Sequence, residues 1–290
     1  MESIRPWILR HPLLSYYLAA FAISWGGLVV AIGGPSGLLS RELTGPTLAI
    51  GIATTLLGPP IAGIVMTAVV GGTVGLRELA SRLLKWRVDA RWYSVAILTA
   101  PVSVTLALLG LSLFSSEFLP RYLAGNEVEP AVFAMGVPTI LTVAVVTGFC
   151  EELGWTGFAN PRMIARHRMA LTGVVMGFLW GLWHLVSNLV GSVESAGTLP
   201  LPIYVSALLF TFLPPYRVLM VWLYAHTESL FVSMLMHASL VTFWLISMPQ
   251  GISGAPQATW YVAWGVVLWG IVAAVAIGAR TRSPGLLGHA

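Results

Sequence analysis

The chain alternates long apolar runs with short segments that collect its charges, and the runs have the length of membrane-crossing helices. Apolar runs fall near 13–33, 47–71, 93–114, 132–158, 169–190, 203–225, 229–248 and 260–278. A run of about 20 residues crosses roughly 30 Å of hydrocarbon as a helix, which satisfies its own backbone groups there. The pattern therefore predicts an all-α fold, a polytopic transmembrane helix bundle of about eight spans, with residues 1–290 as a single integral membrane domain. The first run follows "MESIRPWILRH", is too long for a signal peptide core and lacks a small-residue cleavage site, so it reads as a retained span. In the second run, Gly58-Pro59-Pro60 predicts a kink.

Charge sets the expected orientation. With a cytoplasmic N-terminus, the inside segments hold Arg5, Arg10, Arg77, Arg82, Lys85, Arg87, Arg91, Arg162, Arg166, Arg168, Arg280 and Arg282, against only Arg41 and Arg121 outside. This bias predicts that both termini are cytoplasmic. The stretch "GLRELASRLLKWRVDARW" places Leu76, Leu79, Leu83, Leu84 and Trp86 at near-helical spacing with basic residues between them. It reads as an interfacial helix against anionic lipid, or as a solvated connecting helix.

Composition strengthens the membrane assignment. The 290 residues are 57% hydrophobic and 9% charged, with a mean hydropathy of +0.85, which excludes a soluble domain and predicts a multi-pass protein of the cell membrane. The net charge of +4 is dispersed between apolar segments, so no nucleic-acid partner is expected. Cys150 is the sole cysteine, so no intramolecular disulfide forms, and it reads as a small packing residue.

The candidate chemistry lies in the polar residues that interrupt the spans. Glu151 and Glu152, in "GFCEELGWTGF", end the apolar run "VFAMGVPTILTVAVV". A carboxylate within a span is penalised by about 2.5–3.5 kcal/mol, so it signals a functional site with a partner. Neighbours on a helix point about 100° apart, so the two differ in role. Glu152 shares a face with Thr156, and Glu151 with Trp155 and Phe158, surroundings suited to a general acid or base. His184 and His237 also lie within spans, and His226 at a span end, whereas His11, His167 and His289 do not. At 1.5 Å per residue, Glu151 stands roughly 15 Å above a break at Pro161, His237 roughly 12 Å above Ser229 and His184 roughly 22 Å above Met169. Gly173, Gly177 and Gly181 form a small-residue stripe that would let another helix approach and carry His184 toward the bundle interior.

On these residues the sequence resembles the CAAX protease and bacteriocin-processing (CPBP) family of intramembrane endopeptidases, which includes the type II CAAX prenyl proteases. The family pattern is Glu-Glu-x-x-x-Arg, Phe-x-x-x-His and His-x-x-x-Asn on successive membrane helices. Here the segments read "EELGWT" from Glu151, "WGLWH" from Trp180 and "HASLV" from His237. The resemblance covers about residues 130–245 and includes "EELGWTGFANPR" and "TESLFVSMLMHAS". Thr156 stands where the family has Arg, Trp180 replaces Phe, and Val241 replaces Asn. Arg217, in "LPPYRVLMVW", either pairs with Glu152 or Glu151 or snorkels to the interface. Ser233, Ser239 and Thr242 are the hydroxyls near His237 in sequence.

The resemblance implies peptide-bond hydrolysis in a cavity open to the cytoplasm. Glu151 with His184 would activate a water, His237 would stabilise the oxyanion, and Glu152 would complete the site. The implied partners are the lipid bilayer and a membrane protein or peptide substrate, with a prenylated CAAX tail as one option; oligomeric state is not encoded. No cofactor is expected in this reading. The alternative uses Glu151 and the two histidines as zinc ligands, although no His-Glu-x-x-His is present. From another class, the fold would persist without catalysis as a membrane scaffold or bacteriocin-immunity protein. A transporter would show broken helices and inverted repeats, which the sequence does not display clearly.

Overall fold

The computed structural model describes residues 5–39, 45–120, 122, 130–190, 192–249 and 251–282. Arg41, Arg121 and His289 lie outside the described residues. Thirteen α-helices are described: α1 (Arg5–Arg10), α2 (Pro12–Ala31), α3 (Gly45–Leu56), α4 (Gly58–Leu83), α5 (Ala90–Ser112), α6 (Pro130–Gly154), α7 (Asn160–Ile164), α8 (Met169–Leu189), α9 (Ser192–Ser195), α10 (Leu201–Phe210), α11 (Leu213–Thr227), α12 (Leu230–Ser247) and α13 (Gly254–Arg282). Among the described residues, eight helical stretches are long and apolar enough to cross a membrane, so the chain is a multi-pass membrane protein. Their outer faces expose leucine, isoleucine, valine and phenylalanine, the surface that lipid would cover.

Several of these stretches are broken, more of them than the one kink and one stop that the sequence announces. The predicted kink is present: α3 stops at Leu56 and α4 restarts at Gly58, because Pro59 and Pro60 supply no N–H for a continuing ladder. A second break, unmarked by proline, falls at Gly72, whose φ of 57° and ψ of −148° are open to glycine alone. The basic stretch after it is helical only to Leu83. Leu79 packs inward, whereas Leu84 and Trp86 project from the non-helical link before Ala90.

The remaining irregularities surround the polar residues. The predicted stop at Pro161 is not a stop. Backbone turns from α6 through a π-helical turn at Trp155–Ala159 into α7, with the Asn160 N–H bonded to the Trp155 carbonyl. The wider turn places Pro161 in the first turn of α7, where its missing N–H is tolerated. The sixth apolar run is likewise two helices, α10 and α11, divided at Thr211 and Phe212 ahead of Pro214 and Pro215.

Small residues bring the helices together. The glycine stripe on α8 lies against α10 and α11: a Cβ at Gly173 would stand 2.5 Å from Val218 Cα, and one at Gly181 would stand 2.6 Å from the Leu209 carbonyl oxygen. On α6, a Cβ at Gly148 would meet the Met234 carbonyl oxygen of α12 at 2.7 Å. At one end of the bundle Lys85 Nζ pairs with Glu228 at 3.3 Å, Arg82 Nη1 donates to Tyr224 Oη at 2.9 Å and Ser229 Oγ donates to the Lys85 carbonyl. These contacts tie the α4–α5 link to the α11–α12 turn.

The α8 packing yields a stability test. Gly173→Leu should destabilise the folded protein by about 1–3 kcal/mol, through overpacking against Val218. Gly270, around which a Cβ meets nothing within 4 Å, is the control, and Gly270→Ala should stabilise by roughly 0.5–1 kcal/mol. Thermal unfolding in detergent measures both.

Candidate active site

The acidic pair ends α6, where α8, α11 and α12 pack around it. Glu152 is fully buried and gathers donors from three elements. Arg217 Nη1 of α11 donates to Oε2 at 2.9 Å, His237 Nδ1 of α12 donates to Oε1 at 2.7 Å, and Thr156 Oγ1 of the π turn donates to Oε2. A buried carboxylate is tolerated only when such charged and hydrogen-bonded partners replace water. The intramembrane cation therefore pairs rather than snorkels. Thr156, in the family's Arg position, contributes a hydroxyl while the positive charge arrives from another helix.

Glu151 points elsewhere, as the 100° helical step requires. Its Oε2 accepts from Trp180 Nε1 of α8 at 2.7 Å and from Trp155 Nε1 at 3.3 Å, and its Oε1 lies 3.9 Å from His237 Nε2. Trp155 shares the Glu151 face as expected, whereas Phe158 packs with Tyr16 at 5.2 Å between ring centroids. The Trp180 ring also stands 4.2 Å from Arg217 Cζ and 5.1 Å from the His237 ring. Glu152 thus takes the one guanidinium, and Glu151 meets an imidazole and two indole N–H groups.

His184 lies one turn beyond Trp180 and is half-buried. Its Nδ1 is 2.9 Å from the Trp180 carbonyl oxygen. A carbonyl only accepts, so Nδ1 carries the hydrogen and Nε2 of the neutral ring presents a lone pair. No hydrogen bond or ion pair among the described residues joins His184 to Glu151. The Trp180 indole spans between them, donating to Glu151 and meeting the His184 ring at 5.6 Å.

Sequence reasoning did not assign Trp180 a role beyond an aromatic exchange. Its signal is the departure itself, because tryptophan carries an N–H that phenylalanine lacks. Two of the three hydroxyls near His237 are committed elsewhere: Ser233 Oγ donates to the Ser229 carbonyl and Ser239 Oγ to the Ile97 carbonyl. Val241, one turn after His237, donates nothing. Among the described residues, no three His, Cys, Asp or Glu side chains are grouped as metal ligands. Beyond His184, Ser187, Asn188, Tyr204, Trp244 and Gln257 line a cavity of about 190 Å³ at the end of the bundle opposite the Lys85–Glu228 pair.

These features define a multi-pass membrane protein with a buried acid–imidazole–guanidinium centre. Residues 133–243 match the family model for type II CAAX prenyl endopeptidase Rce1-like proteins. A CAAX prenyl protease 2 of Methanococcus maripaludis is 20% identical over 229 residues, covering 77% of this chain and 78% of that relative. Both matches support the CAAX protease and bacteriocin-processing family.

The ion pair is testable by stability alone. Arg217→Met should lower stability by about 3–5 kcal/mol, because it strands Glu152 without its cation. The double variant Arg217→Met with Glu152→Leu should lose less than the sum of the single losses in a double-mutant cycle read by chemical or thermal unfolding.

Proposed function

We propose that the protein is an intramembrane endopeptidase that hydrolyses a peptide bond of a membrane-associated substrate of the prenylated type. The observation that carries this reading is the unequal treatment of two adjacent buried carboxylates. Glu152 is saturated by Arg217, His237 and Thr156, whereas Glu151 keeps Oε1 free of any direct hydrogen bond. A saturated carboxylate orients its neighbours, and a carboxylate with an open oxygen can take a proton. The family matches support a protease of CAAX type.

In the proposed reaction a water attacks the scissile carbonyl carbon while its proton passes to Glu151 Oε1. His184, through its Nε2 lone pair, accepts a hydrogen bond from the other O–H of that water and orients it. His237 faces the tetrahedral oxyanion, and Glu152 holds His237 through Nδ1. Collapse of the intermediate breaks the C–N bond, and the proton returns to the departing amine. Glu151, Glu152, Arg217 and His237 are all buried, so a peptide reaches them by parting helices. The half-buried His184 marks the side on which entry is shortest. Zinc is the rival, and His184 would have to release the Trp180 carbonyl or offer Nε2 to reach a common ion with Glu151 and His237.

Purified protein, presented with a prenylated CAAX-type peptide in lipid, should cleave it. Glu151→Gln and His184→Ala should each lower kcat by about 10²–10⁴-fold, the span of general acid–base catalysis. Equal product from wild type and both variants would overturn the assignment. Full activity after exhaustive chelation retains the glutamate-water mechanism, and loss restored by added zinc replaces it.

A further inference from the structure

Arg217 is a buried cation with more donors than partners. Its side chain is 1% exposed and Nη1 donates to Glu152, yet Nε and Nη2 meet no acceptor. The three N–H bonds on these two nitrogens, stranded from water, disfavour the closed state unless they serve an incoming acceptor. Nε and Nη2 share one edge of the guanidinium, a planar fork suited to paired oxygens. The surroundings place that fork beside the centre described above: Arg217 Cζ lies over Trp180, whose Nε1 holds Glu151 Oε2. His237, the expected oxyanion donor, already gives Nδ1 to Glu152 and turns Nε2 toward Glu151. Val241 offers no second donor.

We propose that the Nε and Nη2 edge of Arg217 receives the oxyanion formed at the scissile carbonyl, supplying from α11 the donor that Val241 does not. This inference rests on the peptide-hydrolysis reading. As the water oxygen bonds to the carbonyl carbon, the C=O π pair moves onto oxygen and the water proton moves to Glu151. The new negative charge then accepts from the Arg217 fork. When the C–N bond breaks, the carbonyl re-forms, the amine takes the proton and the fork is released. Arg217 thereby serves two anions, Glu152 permanently through Nη1 and the reacting oxygen transiently through its other edge. A fixed donor that meets charge only as it develops acts on turnover more than on substrate binding.

The test uses the full-length protein in lipid with the prenylated CAAX-type peptide, and a peptidyl phosphinate as tetrahedral anionic mimic. Arg217→Lys keeps a cation for Glu152 but loses the fork. Its kcat should fall about 10²–10³-fold, the range for loss of one oxyanion donor, with KM changed little and phosphinate affinity falling in parallel. Adding Val241→Asn should recover at least about tenfold of the lost rate, since a restored donor acts in the same step. The charge-balanced pair Arg217→Gln with Glu152→Gln, which spares the fold a stranded carboxylate, should remain slow. Wild-type kcat in Arg217→Lys, or recovery in the Gln–Gln pair, would overturn the proposal and leave Arg217 a counter-ion only. That result beside an inactive Glu151→Gln retains the protease reading, whereas a wild-type protein that neither cleaves the peptide nor binds the phosphinate overturns both.

Discussion

A carboxylate removed from water must find its solvation in the protein, and Glu152 finds it in Arg217, His237 and Thr156. Leaving out any one partner would expose the charge to a medium that cannot screen it. Those partners come from α11, α12 and the π turn, so satisfying one side chain fixes the height and rotation of three elements against α6. The geometry of Glu151 then follows. One residue earlier on the same helix, it is turned by the helical step toward α8, where Trp180 receives it. The division of the acidic pair into a saturated member and a partly open one results from burying both at adjacent positions.

The broken helices belong to the same solution. Arg217 stands in the second turn of α11, just past the division at Thr211 and Phe212, so its direction depends on where that helix restarts. On the other side of the pair, Trp155 and Thr156 open the π turn and bond the carboxylates four residues before them, as helical spacing allows. Glycines on α8 and α6 admit the neighbouring helices to near backbone contact. Close approach of backbones shortens the reach that side chains need. The large side chains Trp155, Trp180 and Trp183, themselves buried, then fill the space around the charges.

Much of this was legible before any coordinates, and the residues show why. The spans follow from apolar run length alone, since few other structures place so long a run in lipid. The pairing of Arg217 was one of two readings its charge allowed, since a cation within a span either meets an anion or snorkels to the interface, and the contact with Glu152 decides for the first. The α8 stripe was visible as spacing. Other features had no local signal. Gly72 adopts a positive φ that its neighbours in "VVGGTVG" do not announce, and Pro161 looked like a stop because a π turn cannot be read from one proline. Trp180 was the chief omission. An indole N–H becomes meaningful only when an acceptor from another helix, here Glu151, is brought to it.

The three departures from the family pattern can then be weighed as physics rather than letters. A position within a motif specifies a requirement, such as a positive charge near a carboxylate or a donor near an oxygen, and any helix that reaches the point can meet it. Thr156 gives up the local cation, but it shortens the side chain at that turn and leaves room for a guanidinium arriving from α11. The Phe-to-Trp change adds a donor where Glu151 needs one and a flat face on which that guanidinium rests, so the two substitutions are coupled through a single stack of Glu151, Trp180 and Arg217. Val241 is different in kind. It removes a donor, and the α12 hydroxyls of Ser233 and Ser239 are spent on backbone carbonyls. Within the described centre, Nε and Nη2 of Arg217 keep unpartnered N–H groups, as the Tyr16 hydroxyl beside Trp155 keeps its O–H, and the surplus on Arg217 matches the deficit at Val241.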